Sequence, residues 1–497
     1  MNAPQANPEH IDRAREVLLD TGLDAIVDLV AWKDGTTYHA ASSQGAVTFA
    51  RVDGTSEEYE EQHVDGAHPL ANQSTDTFPN RAEEEAGKYP TRDENSFPYA
   101  YEHLAQLLDA AAAPDLVALH SAAHNWQDQG GHRGEHASLG IVQARAPFIL
   151  SGAGIADQGM LDSHARLVDV APTIAALMRA PKQRDGMLLA RQAGVVRDEV
   201  LDPDVMPKLI LGILWDGTNA NVLYDMAARG EVPHIAQLIK NGTTFGGGAM
   251  ASLPTITLAN HTTIMTGQHP GCHGILGNAW YDRRKGKQIV TNSPETWPWS
   301  MDALEPGVES LHHVAARSIG GFTVAVNEPC DIGASFSTFD VFRAGEFPDV
   351  PEHATGLPHT TERFVRPSKD YDWSSVVDHL AMEQVVGVLN GSYQDREFPM
   401  PSYIWANFTL TDSAMHEGGP YSEVAAAAIR DSDARLGEIL DTLDHKGLTD
   451  TTAIYLVADH GMEETNPAVT GNWDEHLREA GLQFRDEGYG FIYLDVE

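Results

Sequence analysis

Short apolar segments alternate with amphipathic segments of helical spacing along most of the chain. Strands are predicted at 114–120, 146–151, 208–215, 321–327, 402–410 and 452–458, and helices at 99–112, 166–179, 219–229, 307–318, 372–390 and 421–445. Alternation of this kind is typical of an α/β protein built on a mostly parallel sheet. Two stretches lack the pattern. Residues 53–98 are polar and turn-rich, which indicates a surface excursion, and residues 180–206 are charged, which indicates a connector.

Composition narrows the class of protein. The chain has 497 residues, of which 42% are hydrophobic, and this suffices for a large core. No apolar run of about 18 residues occurs, so we expect no membrane span. The first residues lack the apolar stretch of a signal peptide. Two cysteines, Cys272 and Cys330, are too few for a disulfide framework, and we therefore expect a cytoplasmic protein.

The net charge of −39 is extreme. A field of this sign repels polyanions, so nucleic-acid polymers and anionic membranes are not expected partners. The charge also fits simple solubility or adaptation to high salt. If the substrate is a small anion, local positive charge such as metal ions must attract it.

Two segments in the second half of the chain contain candidate catalytic or ligand-binding residues. The strand predicted at 208–215 ends at Asp216, and carboxylates at the carboxyl end of a parallel strand face the ligand crevice. Farther on, Pro254 enforces an extended entry to a helix that begins near Thr257. A helix start offers free N–H groups that suit a phosphate. Taken singly, Asp216 is also a common turn residue and Thr257 a common N-cap.

Two further clusters follow predicted strands. Asp412 and His416 lie four residues apart on one helical face, a spacing that suits a shared metal ion or an ordinary ion pair. Asp459 and His460 directly follow the strand predicted at 452–458. Because the carboxyl ends of parallel strands meet at one edge, these clusters together with Asp216 predict a metal site there.

At these residues the chain resembles the alkaline phosphatase superfamily, and within it the nucleotide pyrophosphatases/phosphodiesterases and related type I phosphodiesterases. The resembling segments are WDG at 215–217, PTITLANHTTIMTG at 254–267, HGILGNAWYD at 273–282, NFTLTDSAMHEGG at 407–419 and ADHGM at 458–462. The resemblance implies an alkaline-phosphatase-like sandwich, in which helices flank a central, mostly parallel sheet. It also implies two zinc ions a few ångströms apart.

The resemblance implies roles for individual residues. One zinc ion is held by Asp216, Thr257, Asp459 and His460, and the other by Asp412, His416 and one further histidine. Thr257, the second threonine of the P-T-x-T pattern, is the implied nucleophile in preference to Thr255. Asn278 matches a residue that donates a hydrogen bond to a phosphate oxygen. Leu258 stands where many relatives have an aromatic residue that stacks on a nucleobase, so a preference for nucleotides is not implied.

The last histidine ligand of the superfamily normally follows the Asp-His-Gly motif, which lies here at 459–461. In this chain the similar segments precede that motif: GEHASLGIVQARAPFILSGAGI at 134–155 and ARLVDVAPTIAALM at 165–178. His136 is therefore the predicted ligand, and His132 is the second choice. If residues 1–205 instead form an independent domain, His476 is the ligand.

The order of these segments predicts a circularly permuted chain. Residues 1–180, with the polar insertion 53–98, correspond to the last part of the family's catalytic domain. Residues 181–206 form a connector, and residues 207–497 correspond to its first part. Permutation is tolerated where chain termini lie close together.

The predicted function is hydrolysis of a small anionic phosphoric ester by a phosphodiesterase or nucleotide pyrophosphatase. The reaction is expected to pass through a phosphothreonine at Thr257, as the resemblance implies. An alternative is a C–P hydrolase similar to phosphonoacetate hydrolase, which shares the metal cage. A second alternative is a non-catalytic protein that binds metal or another ligand. Turnover of diester, dinucleotide and phosphonate substrates distinguishes these three.

Overall fold

The computed structural model describes residues 6–52, 58–126, 131–293, 295–345, 369–487 and 490–496. The described strands are β1 Val27–Asp34, β2 Thr37–Ser42, β3 Gly45–Arg51, β4 Tyr59–Gly66, β5 Leu116–His120, β6 Gly134–Glu135, β7 Arg145–Ala146, β8 Phe148–Gly152, β9 Gly159–Leu161, β10 Ala165–Arg166, β11 Leu209–Trp215, β12 Gly242–Phe245, β13 Ala249–Met250, β14 Ala279–Asp282, β15 Lys287–Val290, β16 Phe322–Val326, β17 Phe336–Ser337, β18 Ser392–Tyr393, β19 Arg396–Glu397, β20 Pro401–Phe408, β21 Thr452–Val457, β22 Glu463–Glu464, β23 Phe484–Glu487 and β24 Phe491–Leu494.

The α-helices of the same part of the chain are α1 Pro8–Leu18, α2 Arg81–Ala86, α3 Ala100–Leu108, α4 Ile141–Ala144, α5 Val170–Leu177, α6 Ala220–Ala228, α7 Pro233–Lys240, α8 Thr257–Thr266, α9 Pro270–His273, α10 Leu311–Ser318, α11 Phe339–Arg343, α12 Lys369–Asn390, α13 Leu410–Gly418, α14 Glu423–His445 and α15 Trp473–Glu479. Each predicted helix and strand therefore has a counterpart, displaced by a few residues at its ends. Among the described helices, none has both the length and the apolar character needed to cross a bilayer.

The predicted mostly parallel sheet has eight strands in the order β17-β16-β20-β11-β21-β8-β12-β9. Strands β16, β20, β11 and β21 pair in parallel at its centre. Strand β8 pairs antiparallel with both β21 and β12. The predicted strand at 146–151 is thus part of the same sheet as the strands of the second half of the chain, although it runs in the opposite direction.

The eight-stranded sheet is buried on both faces, as expected for a sheet with parallel strands and helical crossovers. Alternate residues of β11 point to opposite faces. Leu211 and Ile213 belong to a core formed with α6, α7, α12 and α14, whereas Ile210 and Leu214 belong to a core formed with α5, α8 and α10. This alternation explains why the segment LILGILW is apolar throughout.

A second, antiparallel sheet was not predicted. Its seven strands have the order β23-β24-β5-β1-β2-β3-β4, so the predicted strand at 114–120 belongs here and not to the parallel sheet. One face packs with Leu253, Leu258 and Trp280 of the second half of the chain. The sequence pattern missed β4 because this edge strand is acidic and largely exposed, a common protection of sheet edges against aggregation.

The interpretation of residues 53–98 as a surface excursion was only partly right; residues 53–57 lie outside the described part of the chain. Leu70 and Phe97 are buried in the core beside the second sheet. The buried guanidinium of Arg145 donates hydrogen bonds to the backbone carbonyls of Thr75, Thr77 and Phe78. Charge-assisted bonds to carbonyls fix this polar segment on the body of the protein.

A buried carboxyl, that of Glu463 in β22, allows a test of how burial affects stability. Burial raises the pKa of Glu463 from 4.5 to about 8. The folded state therefore holds this proton more tightly than the unfolded state, and stability is lost as the pH rises from 4.5 to 8. We expect Glu463→Gln to raise the free energy of unfolding increasingly over this range, by on the order of a few kcal/mol at pH 9, and therefore to raise Tm.

Thermal unfolding at several pH values checks this expectation. Glu438→Gln, at an exposed position of α14, is the matched control and should change Tm little at any pH. A Glu463→Gln effect that is the same at pH 5 and pH 9 would contradict the argument.

Candidate metal centre

Three adjacent parallel strands deliver carboxylates to one edge of the eight-stranded sheet. Asp216 follows β11, Asp459 follows β21, and β20 leads into α13, which carries Asp412. Gly217 lets these groups approach closely, because a Cβ at this position would lie 2.5 Å from Asp412 Oδ1. Its backbone N–H also donates a hydrogen bond of 3.0 Å to Asp459 Oδ1. The predicted convergence of strand ends is therefore present.

The first pocket lies between the ends of β11 and β21. His460 Nε2 is 3.2 Å from Asp459 Oδ2 and 3.8 Å from Asp216 Oδ1. Both Asp459 and His460 are fully buried. The arrangement brings two carboxylates and one imidazole nitrogen to a single point, as a divalent cation requires.

The second pocket lies at α13. His416 Nε2 is 3.3 Å from Asp412 Oδ1, which agrees with their predicted spacing of one helical turn. His136 Nε2 is 4.0 Å from the same oxygen. The ring of His136 also stacks on that of His460 at 3.8 Å between centroids. The two pockets thus share a wall and lie side by side.

Backbone carbonyls orient all three of these histidines. The Nδ1–H groups of His136, His416 and His460 donate to Thr255 O, Gly134 O and Gly461 O at 2.7, 2.7 and 2.9 Å. Each ring therefore presents Nε2 to the pockets. Histidines that bind metals are commonly fixed in this way through the other ring nitrogen.

The segment around His136 interlocks with the loop before Thr257. Thr255 Oγ1 accepts from the Ala137 N–H at 2.8 Å and donates to Ser138 O at 2.9 Å. Ala137 has a φ of 94°, in a region that favours glycine. Since the hydroxyl of Thr255 is buried and engaged on both sides, its role is structural.

The two alternative histidines differ in their surroundings. His132 lies at the rim of the second pocket, where its Nδ1 donates to Glu135 at 2.9 Å and its ring is 4.4 Å from that of His416. His476 is exposed on α15. The two pockets together form what we call the cage. The structure brings His136 into this cage with its Nε2 facing Asp412, and it leaves His476 outside.

A buried carboxylate fixes the start of α13. Asp378, on α12, accepts hydrogen bonds from the N–H groups of Thr409 and Leu410 at 2.7 and 3.1 Å. A carboxylate at a helix N-terminus satisfies donors that have no partner within the helix. This cap holds the helix that carries Asp412 and His416.

Thr257 is the first residue of α8 and is half-buried. His261 lies one turn later on the same face of the helix, and its Nε2 is 3.5 Å from Asp459. Asn278 Oδ1 accepts from the Leu258 N–H at 3.5 Å, so the predicted phosphate-binding amide adjoins Thr257. Leu258 itself is buried against the second sheet, which explains why it cannot act as a stacking platform.

The charges of the cage call for a cation. Burial, and then the carboxylates of Asp459 and Asp412, raise the pKa of Asp216 well above its usual value. Burial opposes the charge of His416, but Asp412 raises the pKa of this histidine to about 10. In the described part of the chain, histidines are the only basic side chains within 4.0 Å of these three carboxylates.

Unsatisfied polar atoms mark where the cation fits. Within the described residues, buried atoms without a hydrogen-bond partner include Asp216 Oδ1, Asp412 Oδ1, Asp459 Oδ2, His261 Nε2 and His460 Nε2. Such atoms are rare in proteins and costly unless a ligand pairs with them. Their oxygen and nitrogen donors suit zinc and similar divalent metals.

Sequence analysis missed His261 and its partner Glu328. His261 belongs to a set of potential ligand atoms with Asp216 and Asp459, all within 4.8 Å of one another. Its spacing of four residues from Thr257 was a signal for a shared helical face. Nothing in the local sequence marked Glu328, which follows β16 and reaches His261 only through the fold.

Comparison with known proteins supports the resemblance. The family described as "Type I phosphodiesterase / nucleotide pyrophosphatase" matches residues 210–497. This match covers more than half of the chain. The chain belongs to this family.

Among its relatives is an uncharacterised pyrophosphatase/phosphodiesterase of Schizosaccharomyces pombe, 25% identical over 273 residues, which are 53% of this chain and 46% of the relative. Mouse ectonucleotide pyrophosphatase/phosphodiesterase family member 1 is 25% identical over 52% of this chain and 24% of its own length. Alkaline phosphatase PafA of Elizabethkingia meningoseptica is 33% identical over 18% of this chain and 16% of its own length. The chain thus spans less than half the length of these relatives.

The solved structure of murine ectonucleotide pyrophosphatase/phosphodiesterase 5 aligns over 51% of this chain and 57% of its own, with 18% identity and a TM-score of 0.35. The family match covers residues 210–497. His136 precedes this range, although its side chain lies beside Asp412 and His460.

Metal content tests the position of His136. If each pocket binds one zinc ion, as the resemblance implies, we expect His136→Ala to reduce the zinc bound after dialysis from two ions to about one, because the second pocket would lose one of its three candidate ligands. His132→Ala and His476→Ala are the controls and should retain both ions. Loss of an ion in His476→Ala, with both retained in His136→Ala, would contradict the assignment.

Proposed function

We propose that this chain is a two-zinc hydrolase of phosphoric esters, with phosphodiesterase or nucleotide pyrophosphatase activity. The observation that carries the proposal is the pair of adjoining pockets with buried, unpartnered ligand atoms at the ends of β11, β20 and β21. Asp216, Thr257, Asp459 and His460 are the proposed ligands of one ion, and Asp412, His416 and His136 those of the other. Membership of the family supports this assignment.

The proposed reaction is a double displacement at phosphorus. Bound zinc lowers the pKa of hydroxyl and water oxygens and stabilises negative charge on phosphate and leaving group. Thr257 loses its proton to solvent and attacks phosphorus in line, which breaks the bond to the leaving oxygen and forms a phosphothreonine, and the leaving oxygen takes up a proton from solvent. Water then attacks the same phosphorus and releases a proton, the bond to Thr257 breaks, and the threonine oxygen takes up that proton. Asn278 donates a hydrogen bond to a non-bridging oxygen, which limits the orientation of the phosphate.

The helix α8 suits the position of Thr257 in this scheme. Its first-turn N–H groups face the entering phosphate, and the helix dipole favours negative charge at this end. A turn later, His261 lies beside Asp459. Thr257 is thereby held on the side of the helix that faces the first pocket.

The location of His136 supports a permuted catalytic domain. The segment that carries it donates to His416 O through the Arg133 N–H, and β6 pairs with β22 next to the Asp459 cluster. With β8 in the eight-stranded sheet, residues 131–178 supply what the family's closing segments supply. Residues 1–180 and 207–497 then form one catalytic unit joined by the connector 181–206.

Covalent trapping tests the nucleophile. We expect Thr257→Ala to lower kcat by about a thousandfold or more, since the variant removes the attacking oxygen. Tm should change little, and kcat is measured with zinc in excess, because the first pocket keeps three of its four proposed ligands. Acid quenching during turnover of a slow diester, followed by peptide mapping, should detect phosphate on Thr257. Phosphate on Thr255, or full turnover by Thr257→Ala, would exclude Thr257 as nucleophile.

A substrate panel tests the reaction class. The zinc-loaded protein is assayed with bis-p-nitrophenyl phosphate, p-nitrophenyl phosphate, a dinucleotide and phosphonoacetate. We expect kcat/KM for a diester or dinucleotide to exceed that for the monoester and the phosphonate by at least tenfold, about 1.4 kcal/mol. Preferential cleavage of phosphonoacetate would favour the C–P hydrolase. Two bound ions without turnover of any substrate would favour a binding protein.

A further inference from the structure

A buried carboxylate–histidine pair lies directly behind the first pocket. His261 Nδ1 donates to the two carboxylate oxygens of Glu328 at 2.9 and 3.1 Å, and both side chains are fully buried. Glu328 is itself fixed, because its Oε1 accepts from the Cys330 N–H at 2.7 Å. The imidazole is therefore held in one orientation from behind.

The other nitrogen of this imidazole faces the pocket. His261 Nε2 is 3.5 Å from Asp459 Oδ2 and 3.9 Å from Asp216 Oδ2. The opposite oxygen of Asp459 accepts from the Gly217 N–H. Asp459 is thus held on one oxygen by the backbone, and its other oxygen lies beside the imidazole.

In another buried carboxylate–histidine pair, both ring nitrogens of the histidine have hydrogen-bond partners. Glu102 and His269 are also buried and 3.0 Å apart. There the second ring nitrogen of His269 bonds to Ser252 Oγ at 2.8 Å. The second nitrogen of His261, in contrast, has no hydrogen-bond partner among the described residues and is directed at the carboxylates of the cage.

We propose that Glu328 and His261 are positioning residues of the first metal pocket. The pair links the end of β16 to α8 and to Asp459, and so fixes both a ligand carboxylate and the helix that begins with Thr257. This inference rests on the proposed function. Removal of a residue that orients a metal ligand typically weakens metal binding by about 10–100-fold.

Zinc affinity of the first pocket alone provides the test. The variants are made in a His416→Ala background, which disables the second pocket, and zinc dissociation constants are measured by competition with a chromophoric chelator. We expect His261→Leu to weaken zinc binding about 10–100-fold. His261→Gln, whose amide can donate towards Asp459, should restore affinity to within about threefold. Glu328→Gln, which keeps an acceptor but loses the charge, should be intermediate.

The Glu102–His269 pair offers matched controls. His269→Leu and Glu102→Gln make the same chemical changes in a buried pair and should leave the zinc dissociation constant unchanged. The rise in Tm upon zinc addition gives a second readout, and it should shrink in His261→Leu but not in the controls. If His261→Leu fails to fold, the contrast between Glu328→Gln and Glu102→Gln decides the question.

The inference is overturned if His261→Leu binds zinc as tightly as the background protein, or if His261→Gln is as weak as His261→Leu. It is also overturned if Glu328→Gln and Glu102→Gln have equal affinity. Failure of the background protein itself to bind zinc overturns the proposed function along with the inference. If the background protein binds zinc and His261→Leu does not weaken that binding, only the inference is overturned.

Discussion

Three carboxylates lie side by side at one edge of the parallel sheet, Asp216 and Asp459 buried and Asp412 partly buried, and the residues around them offset the repulsion between their negative charges. Charges of one sign in a buried site are costly unless they are paired. Carbonyl-bound histidines present Nε2 to the same space, and Gly217 lets the groups approach. In the proposed function, a divalent cation completes this arrangement, because it would neutralise the carboxylates and pair with atoms that have no hydrogen-bond partner among the described residues.

The cage also ties together parts of the chain that are distant in sequence. His136 comes from the first third, Thr257 from the middle and His460 from near the end. Hydrogen bonds join the His136 segment to Thr255, and the ring of His136 stacks on that of His460. A site assembled in this way depends on several elements of the sheet, since its residues follow β11, lie on α13 or follow β21. The hydrogen bond from His136 to Thr255 O therefore fixes a candidate ligand as well as a loop.

The second sheet also helps to hold the segment that contains Thr257, the proposed nucleophile. Its face packs against Leu253 and Leu258, on either side of Thr255 and Thr257. Leu258, which follows the proposed nucleophile Thr257, is therefore buried in the core beside this sheet and does not face the solvent.

The sequence by itself determined the parallel sheet and most of the cage, because these follow from local patterns. Apolar strands ending in Asp216 and Asp459 meet at one edge in any parallel sheet, and the turn of a helix brings Asp412 to His416. Only tertiary structure decided the antiparallel sheet, whose strands carry mixed or acidic patterns, and the partnership of His261 with Glu328, which are 67 residues apart. Such contacts depend on how separate elements pack, and no local spacing encodes them.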